Sequence, residues 1–492
     1  MAFVMPRRKT ATADRPTHAG KVAGMASPPG PIDRPLVVAA NRLPVARTAE
    51  GGWTASPGGL VRALLPTVQR SGGSWVGWTG EVDGPDDPIH ELGVDMYPVA
   101  LSADDVAGYY EGFSNDTLWP LYHDAIRDSG FQTTDWDAYQ AVNQRFAERI
   151  AAIAPDGAAV WLHDYHLQLV PAMLRARRPD LRIGWFDHIP WPPIELFQRL
   201  PWRTEIVEGL LGADVIGFQR ELGARNFVLA AERLGGALES APGVLTLPDG
   251  REARAGHFPI SIDVDELELA ASGREARRHA AQLRTWLGDP EVILLGVDRL
   301  DYTKGIGNRL RAIGELLDSG RLDPSRHVMV QVATPSREGV EQYQEERHEI
   351  EQLVGAINGR HARLGFPAVH YIYNTLPLDE LVSLYRAADV MLVTPIRDGM
   401  NLVAKEYVAA HTDGDGVLVL SEFTGAADEL GEALLVNPHD TVALADAIDR
   451  AVAMDRHERR QRMGAMREAL RAHDVHRWAA GFLGALLTAP AS

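Results

Sequence analysis

The 492-residue sequence contains no cysteine. Disulfides, thiolate nucleophiles and cysteine-based metal sites are therefore excluded for this chain. The lack of cysteine suits a cytoplasmic protein, and we predict that location. Apolar runs are also short, and none approaches the roughly 20 residues that a membrane-spanning helix requires. The first 34 residues lack the apolar core of a secretory signal and are rich in Pro, Ala, Gly and basic residues, so we predict a disordered tail at 1–34.

Positive charge is in deficit, with 49 Lys and Arg against 67 Asp and Glu and a net charge of −18. We therefore expect no nucleic-acid partner, because non-specific binding to a phosphate backbone needs a basic face. An anionic substrate must be met by a local cluster of cations rather than by the overall field. Hydrophobic residues make up 45% of the chain, as in ordinary globular proteins.

The order of the apolar runs predicts two α/β domains with doubly wound parallel sheets. Strand-like runs alternate with helix-like segments over residues 36–218, and the alternation resumes over 292–420. Residues 241–255 between them are rich in Pro and Gly, and we interpret them as a break before the second domain. We predict a first domain at 35–257 and a second at 258–469. A cleft between two such sheets is a common place for a small-molecule site.

Two stretches in the second half, 296–305 (GVDRLDYTKG) and 398–406 (DGMNLVAKE), carry most of the chemistry. Each follows an apolar strand-like run, so its charged residues lie where open α/β sheets bind ligands. Arg299 and Lys304 suit a diphosphate, since Arg offers a planar fork and Lys a point charge. The alternative is a set of surface ion pairs among Asp298, Arg299 and Asp301, and the residues alone leave both open.

Two carboxylates belong to the second of these stretches. Asp398 precedes a helix-like segment, and Leu402 and Glu406 share one face near its start. Glu406 suits the hydroxyls of a ribose, so the two stretches together indicate an enzyme that handles a nucleotide sugar. The alternatives are that Asp398 caps the helix and that Glu406 pairs with Lys405 or with solvent.

Polar residues also follow the strands of the first half. Asp164 suits an acceptor hydroxyl and His188 a sugar hydroxyl, although both could be structural groups at strand ends. His163 and His166 lack the spacing of a helical zinc motif and a third ligand, so we predict no metal site.

Several weaker signals remain open on the residues alone. Arg42 and Arg337 follow strands and suit a phosphate, but a lone arginine is usually a surface charge. The Gly58–Gly59 pair lets a backbone approach a ligand closely, although turns use such pairs constantly. The aromatic residues at 109–110 and 119–123 suit stacking on a sugar or plain core packing.

Taken together, the motifs resemble glycosyltransferase family 20, the trehalose-6-phosphate synthases. The resemblance runs from about residue 36 to about residue 480 and rests on motifs in the expected order, at 41–42, 57–60, 113–115, 118–120, 161–167, 188–190, 299–305 and 394–407. It implies the GT-B fold, in which two Rossmann-like domains face a central cleft. It also implies a C-terminal helix, here at 470–492, that packs back on the first domain.

The resemblance also implies roles for the matched positions. The catalytic set would be Asp164, His188, Arg299, Lys304 and Asp398. The donor would be held by Gly58, Gly59, His188, Arg299, Lys304, Asp398, Gly399, Met400, Asn401, Leu402, Val403 and Glu406. The acceptor, glucose-6-phosphate, would be held by Arg42, Tyr110, Trp119, Asp164 and Arg337.

The implied reaction is the transfer of glucose from a nucleoside-diphosphate glucose to glucose-6-phosphate, with retention of configuration and without a cofactor or metal. The nucleotide base and homo-oligomer formation stay open. The rivals are a transferase with another phosphorylated acceptor such as glycerol-3-phosphate, a relative that joins cyclitols, and a catalytically silent sensor of sugar phosphate.

The sequence departs from the family pattern at two places. Asp187 stands before His188 where an apolar residue is usual, and it either shifts the proton affinity of His188 or points outward. Arg220 follows Gln219 where a small hydroxyl residue is common.

Overall fold

The computed structural model describes residues 34–48, 51–56, 58–125 and 130–489. The predicted tail at 1–34, apart from Arg34, lies outside these ranges, as do Pro57 of the 57–60 motif and the last three positions of the predicted C-terminal helix. Within the described ranges, no helix combines the length and the apolar character needed to cross a membrane.

The apolar runs form the strands of two sheets and a short hairpin. The strands are β1 Leu36–Arg42, β2 Val45–Arg47, β3 Trp53–Ala55, β4 Ser74–Trp78, β5 Ile89–Glu91, β6 Val94–Pro98, β7 Ala159–His163, β8 Arg182–Phe186, β9 Val215–Phe218, β10 Leu238–Ala241, β11 Val244–Thr246, β12 Glu252–His257, β13 Val292–Arg299, β14 His327–Thr334, β15 Val369–Tyr373, β16 Val390–Val393, β17 Val417–Ser421 and β18 Leu434–Val436.

The first sheet has ten strands in the order β10-β11-β12-β9-β8-β7-β1-β4-β6-β5. Its centre, from β12 to β6, is parallel, and antiparallel pairs lie only at its edges. The second sheet has six parallel strands in the order β15-β14-β13-β16-β17-β18. The prediction of two doubly wound α/β domains is confirmed. We refer to the bodies built on the first and second sheets as the first and second lobes.

Helices connect the strands and cover both faces of the sheets. They are α1 Gly59–Ser71, α2 Ala103–Asp105, α3 Trp119–Tyr122, α4 Thr133–Ile153, α5 Val170–Arg177, α6 Ile194–Phe197, α7 Arg203–Leu210, α8 Glu221–Leu234, α9 Val264–Ser272, α10 Arg274–Trp286, α11 Ile306–Asp318, α12 Glu341–His361, α13 Leu378–Ala387, α14 Leu402–Ala410, α15 Ala426–Glu429, α16 Thr441–Ala453, α17 Arg456–Ala472 and α18 Val475–Thr488. A π-helical segment, Val106–Leu118, and two 3₁₀ turns, Tyr165–Leu167 and Tyr302–Lys304, complete the set.

The interpretation of residues 241–255 as a break is wrong, because this stretch lies in the first sheet. β11 and β12 form an antiparallel pair, and β12 continues the parallel part of the sheet beside β9. Gly243 has a φ of +74° and lies against the Ala255 carbonyl, so the turn between β10 and β11 requires glycine. The exposed strand β10 and the short strand β11 bury few side chains, which explains why no apolar run marks them.

The last helix, α18, packs on the first sheet. The ring of Phe482 lies over Gly184 and Gly217, where an added Cβ would come within 2.7 Å of it. It also stacks on Trp161 with 4.8 Å between ring centroids. Two connections therefore join the lobes, one before α9 and one before α18. They touch each other, since Val475 N donates a hydrogen bond to Ile262 O at 3.0 Å.

Candidate active site

The two cations of the 296–305 motif lie at the carboxyl end of the second sheet. Arg299 is the last residue of β13, and Lys304 ends the 3₁₀ turn before α11. Gly305 has a φ of +64° and lies against the Thr394 carbonyl, so a side chain there would be strained and would clash. This turn carries Lys304 towards the strand β16 and the 398–406 motif.

Lys304 and Asp398 form an ion pair across this end of the sheet. The Lys304 Nζ lies 2.6 Å from the Asp398 carboxylate, and both side chains are largely buried. Burial would raise the pKa of Asp398, but the Lys304 ammonium outweighs it and holds that pKa below its usual value. The helix cap of α14 is Asn401, whose side chain accepts a hydrogen bond from Ala404 N. The alternative of Asp398 as the cap is therefore wrong, and its carboxylate lies at the strand ends.

Arg299 does not belong to a set of surface ion pairs. Asp298 is buried and pairs with the buried Arg309 at 2.6 Å. Asp301 is fully buried, 4.0 Å from the Arg299 guanidinium and 3.5 Å from that of Arg337. Burial raises the pKa of Asp301, but Arg337, Arg299 and Lys304 together lower it to about 2. A buried carboxylate therefore orients two guanidinium groups towards one place.

Glu406 is nearly buried and is bonded from both lobes. Its carboxylate accepts a hydrogen bond from Arg62 of α1 at 2.6 Å and another from the Tyr385 hydroxyl at 2.9 Å. Lys405 instead pairs with Glu429, so the alternative partners expected for Glu406 are wrong. A cavity of about 60 Å³, lined in part by Leu402 and Glu406, adjoins this pair.

The glycines at this position let the lobes approach each other. Gly59 lies at the start of α1, and a Cβ added there would come within 3.0 Å of the Leu402 side chain, a tight contact. Gly58 precedes it with extended backbone. Gly399 lies against the His188 carbonyl, where a Cβ would clash with backbone. Met400 is buried, and Val403 lies in the first turn of α14. The backbone amides at a helix N-terminus are suited to binding an anion.

The predicted acceptor residues lie along a row of aromatic rings. Contacting pairs in this row are Trp78–Tyr110, Tyr110–His166, His166–Tyr165 and Tyr165–Trp119, with centroids 5.7, 6.0, 4.0 and 5.7 Å apart. Arg42 lies 4.0 Å above the Trp78 ring. Arg337 lies 3.8 Å above the Trp119 ring, which Arg299 also approaches at 5.3 Å. The first lobe supplies the rings, and the second lobe supplies two of the cations.

Arg337 is fixed by hydrogen bonds to two tyrosines. It donates to the Tyr165 hydroxyl at 3.0 Å and to the Tyr343 hydroxyl. Its backbone has a φ of +49°, an uncommon conformation for a non-glycine residue. The sequence reasoning missed Trp78, Tyr165 and Tyr343, and it weighed His166 only as a metal ligand. Trp78 ends β4, and Tyr165 and His166 lie in the 3₁₀ turn that follows β7, so all three were within reach of the strand-end signal, whereas Tyr343 lies inside α12 and gives none.

Asp164 and His188 lie at the ends of neighbouring strands of the first sheet. Asp164 has a φ of +77°, and burial raises its pKa to about 6 despite the nearby guanidinium groups of Arg337 and Arg299. Burial lowers the pKa of His188 to about 3, so its imidazole is neutral. The Nε2 of His188 lies 3.0 Å from the Nδ1 of His163.

Asp187 does not point outward. It is fully buried, and its Oδ1 accepts a hydrogen bond from Ile189 N at 3.3 Å. Burial raises the pKa of Asp187 well above its usual value. Asp187 therefore holds the backbone of the loop that carries His188.

Comparison with known proteins decides the family. The profile of Glycosyltransferase family 20 matches residues 34–487. The chain belongs to glycosyltransferase family 20. A trehalose-6-phosphate synthase of Mycobacterium sp. (strain JLS) is 55% identical over 468 residues, covering 93% of this chain and 97% of that protein.

Solved structures agree with this family. One of them is a UDP-forming alpha,alpha-trehalose-phosphate synthase from Burkholderia xenovorans, solved in complex with glucose-6-phosphate. It superposes with a TM-score of 0.86 at 34% identity and covers 92% of this chain and 100% of that one. A protein from E. coli bound with UDP-2-fluoro glucose gives 0.84 at 35% identity over 92% and 99%. The resemblance drawn from the motifs, the GT-B fold and the assignment as a glycosyltransferase are confirmed.

Ion pairs connect the two lobes of this family 20 enzyme at the rim of the cleft. Arg220, one of the departures from the family pattern, binds Asp428 of the second lobe through two hydrogen bonds of 2.7 Å each. Arg397 of the second lobe pairs with Asp124 of the first. The structure thus describes a conformation in which both lobes contribute to one site.

No group of three or more His, Asp or Glu side chains in the described ranges is arranged to hold a metal ion. His163 and His166 do not meet, since His163 contacts His188 and His166 contacts Tyr110. The absence of a required metal stays a prediction.

Proposed function

We propose that this family 20 enzyme transfers glucose, with retention of configuration, from a nucleoside-diphosphate glucose to glucose-6-phosphate. The products are α,α-trehalose-6-phosphate and a nucleoside diphosphate. One observation carries the proposal: Arg299 and Arg337 of the second lobe both lie over the Trp119 ring of the first. A cation predicted for the donor and a cation predicted for the acceptor thus share one aromatic surface, as a reaction between two anionic substrates requires.

The proposed binding of the donor rests on two positive charges and on the N-terminus of helix α14. Arg299 and Lys304 offer two fixed cations to a diphosphate, and the first turn of α14 adds amide donors. We assign Glu406 to the ribose hydroxyls of the donor, and its partner in the structure, Arg62, comes from the opposite lobe. The UDP-forming relative and the relative bound with UDP-2-fluoro glucose support this class of donor.

The acceptor half rests on the row of rings and its arginines. Arg42 and Arg337 lie at opposite ends of the row, over Trp78 and Trp119. Guanidinium groups bind phosphate bidentately, and aromatic faces pack against sugar rings. The relative from Burkholderia xenovorans was solved in complex with glucose-6-phosphate, which supports a phosphorylated hexose as the acceptor.

The chemistry needs no carboxylate nucleophile in this proposal. The bond between the anomeric carbon and the diphosphate oxygen breaks while the acceptor oxygen bonds to that carbon from the same face. The acceptor proton passes to the departing phosphate oxygen. Asp398, the carboxylate paired with Lys304, holds glucose hydroxyls instead. Catalysis then consists mainly of positioning both substrates and neutralising the charge that grows on the diphosphate.

A matrix of donors and acceptors tests the function. Purified enzyme is incubated with UDP-, GDP- or ADP-glucose and with glucose-6-phosphate, glucose or glycerol-3-phosphate, and release of nucleoside diphosphate is measured. We expect turnover with glucose-6-phosphate and a product whose proton NMR spectrum shows two anomeric protons, both of the α configuration. Preferred turnover with glycerol-3-phosphate would favour the rival transferase, and binding without turnover would favour the sensor.

Activity is expected to survive treatment with EDTA. Arg299 and Lys304 neutralise the leaving diphosphate in this proposal, so a divalent cation is not required at that place. Initial rates are compared before and after dialysis against the chelator, with and without added magnesium. Complete loss of activity that added magnesium restores would contradict the proposal that these two side chains suffice to neutralise the diphosphate.

A further inference from the structure

His163 takes part in none of the substrate contacts proposed above. It does, however, lie in hydrogen-bond contact with His188, which the proposal places against the donor. It is the last residue of β7, lies beside Phe186 of β8 and is fully buried. Its Nδ1 lies 3.0 Å from the Nε2 of His188. The rings of Trp161 and Phe186 surround it, with centroids 4.7 and 6.3 Å away. His163 therefore reaches the cleft only through His188.

Each of the two imidazoles carries one proton. Burial, together with the nearby His188, lowers the pKa of His163 well below its usual value, and burial lowers the pKa of His188 to about 3. Their contact therefore has one donor and one acceptor, and its direction decides which ring nitrogen of His188 is left bare.

The surroundings of His163 decide that direction. Its second ring nitrogen, Nε2, is buried and has no hydrogen-bond partner. If that nitrogen carried the proton, a buried N–H would stay unpaired, and such orphaned donors are rarer in proteins than under-satisfied acceptors. With the proton on Nδ1, His163 donates to His188 and leaves a bare nitrogen among aromatic rings.

We infer that His163 is a positioning residue that donates a hydrogen bond from Nδ1 to Nε2 of His188 and thereby fixes the His188 proton on Nδ1. His188 then meets a ligand as a hydrogen-bond donor in one ring orientation. The direction of the bond follows from the buried contacts alone. That the ligand is an oxygen of the transferred glucose rests on the proposed function.

The tautomer is measurable without any activity. Two-bond proton–nitrogen correlation spectra of the protein labelled with ¹⁵N-histidine distinguish a protonated ring nitrogen from a bare one, and a His188→Gln variant assigns the His188 signals. We expect protonated Nδ1 and bare Nε2 in His188 of the wild-type protein. A bare Nδ1 would overturn the inference, and this arm does not depend on folding of any His163 variant.

Two substitutions of His163 separate positioning from packing. His163→Asn keeps an N–H near the position of Nδ1, whereas His163→Leu fills the space without a donor. We expect kcat to stay within about 3-fold of wild type for the Asn variant. For the Leu variant we expect a fall of about 10- to 100-fold, by analogy with the loss of groups that orient metal-ligating histidines, with the KM for glucose-6-phosphate little changed.

The Leu variant should also alter the His188 signals, because the donor that selects the tautomer is gone. Wild-type kcat or an unchanged His188 tautomer in that variant would overturn the inference. If instead the wild-type protein transfers no sugar in the donor and acceptor matrix, the proposed function fails, whereas the measured tautomer still decides the role of His163.

Discussion

Replacing Lys304 with alanine is expected to lower kcat by about 100- to 1,000-fold, the loss typical when one donor that stabilises developing charge is removed. Replacing Arg299 with alanine is expected to have a similar effect. In the proposed reaction both side chains neutralise the charge that grows on the leaving diphosphate, so the loss falls on turnover rather than on substrate affinity alone. Steady-state rates with saturating donor and acceptor measure it.

The Lys304 variant needs a stability control, because its partner stays behind. Asp398 is buried and 2.6 Å from the Lys304 ammonium, and removing one member of a buried ion pair costs about 3–5 kcal/mol. The double variant Lys304→Ala with Asp398→Asn removes the stranded charge. It should recover much of the lost melting temperature without recovering turnover.

A matched control lies on α11, the helix that follows Lys304. Arg311 lies on α11, is half-exposed and pairs with Glu349 at the surface. Arg311→Ala should leave turnover unchanged, since exposed ion pairs contribute little. Near-normal turnover in both Lys304→Ala and Arg299→Ala would remove the diphosphate clamp from the proposal.

Replacing Arg337 with alanine is expected to raise the KM for glucose-6-phosphate by about 10- to 100-fold, the equivalent of one charge-assisted hydrogen bond of about 1.5–3 kcal/mol. The KM for the donor should change little. The guanidinium is held in one orientation by the Tyr165 and Tyr343 hydroxyls, which would lower the entropy cost of binding the proposed phosphate. Acceptor kinetics at fixed saturating donor provide the measurement.

Two comparisons make the Arg337 prediction specific. Arg337→Lys keeps the charge but loses the planar fork, so its KM should be intermediate. Unphosphorylated glucose, used as a poor acceptor, should be affected much less than glucose-6-phosphate by either substitution. An unchanged preference for the phosphorylated acceptor in Arg337→Ala would assign the phosphate to other residues.

The sequence predicted the strand ends well because buried strands are recognisable as local apolar runs. β13 and β16 are continuous apolar runs, and whatever follows such a run lies at the carboxyl edge of a parallel sheet. The residue pattern alone therefore places Arg299, Lys304 and Asp398 at one edge of the second sheet. The exposed strand β10 and the short strand β11 carry no such run, so the same reasoning misinterprets that stretch as a break.

Pairing between side chains was not predictable in the same way. Glu406 accepts from Arg62, 344 positions away, and Arg337 donates to Tyr165, 172 positions away. As the alternative to a ribose, the sequence suggested Lys405 or solvent as the partner of Glu406. Neighbours in the sequence point to different faces of a helix, so contact between them is the exception.

By itself, the sequence determined the order of strands and helices, the family, and which charged residues follow which strands, because local periodicity and motif spacing encode these. Only the tertiary structure decided that Lys304 binds Asp398, that Trp119 lies under two guanidinium groups, and that His163 contacts His188. Such contacts depend on how the lobes and their strands meet in space, where a shift of about one ångström separates a hydrogen bond from none, and no local pattern records that distance.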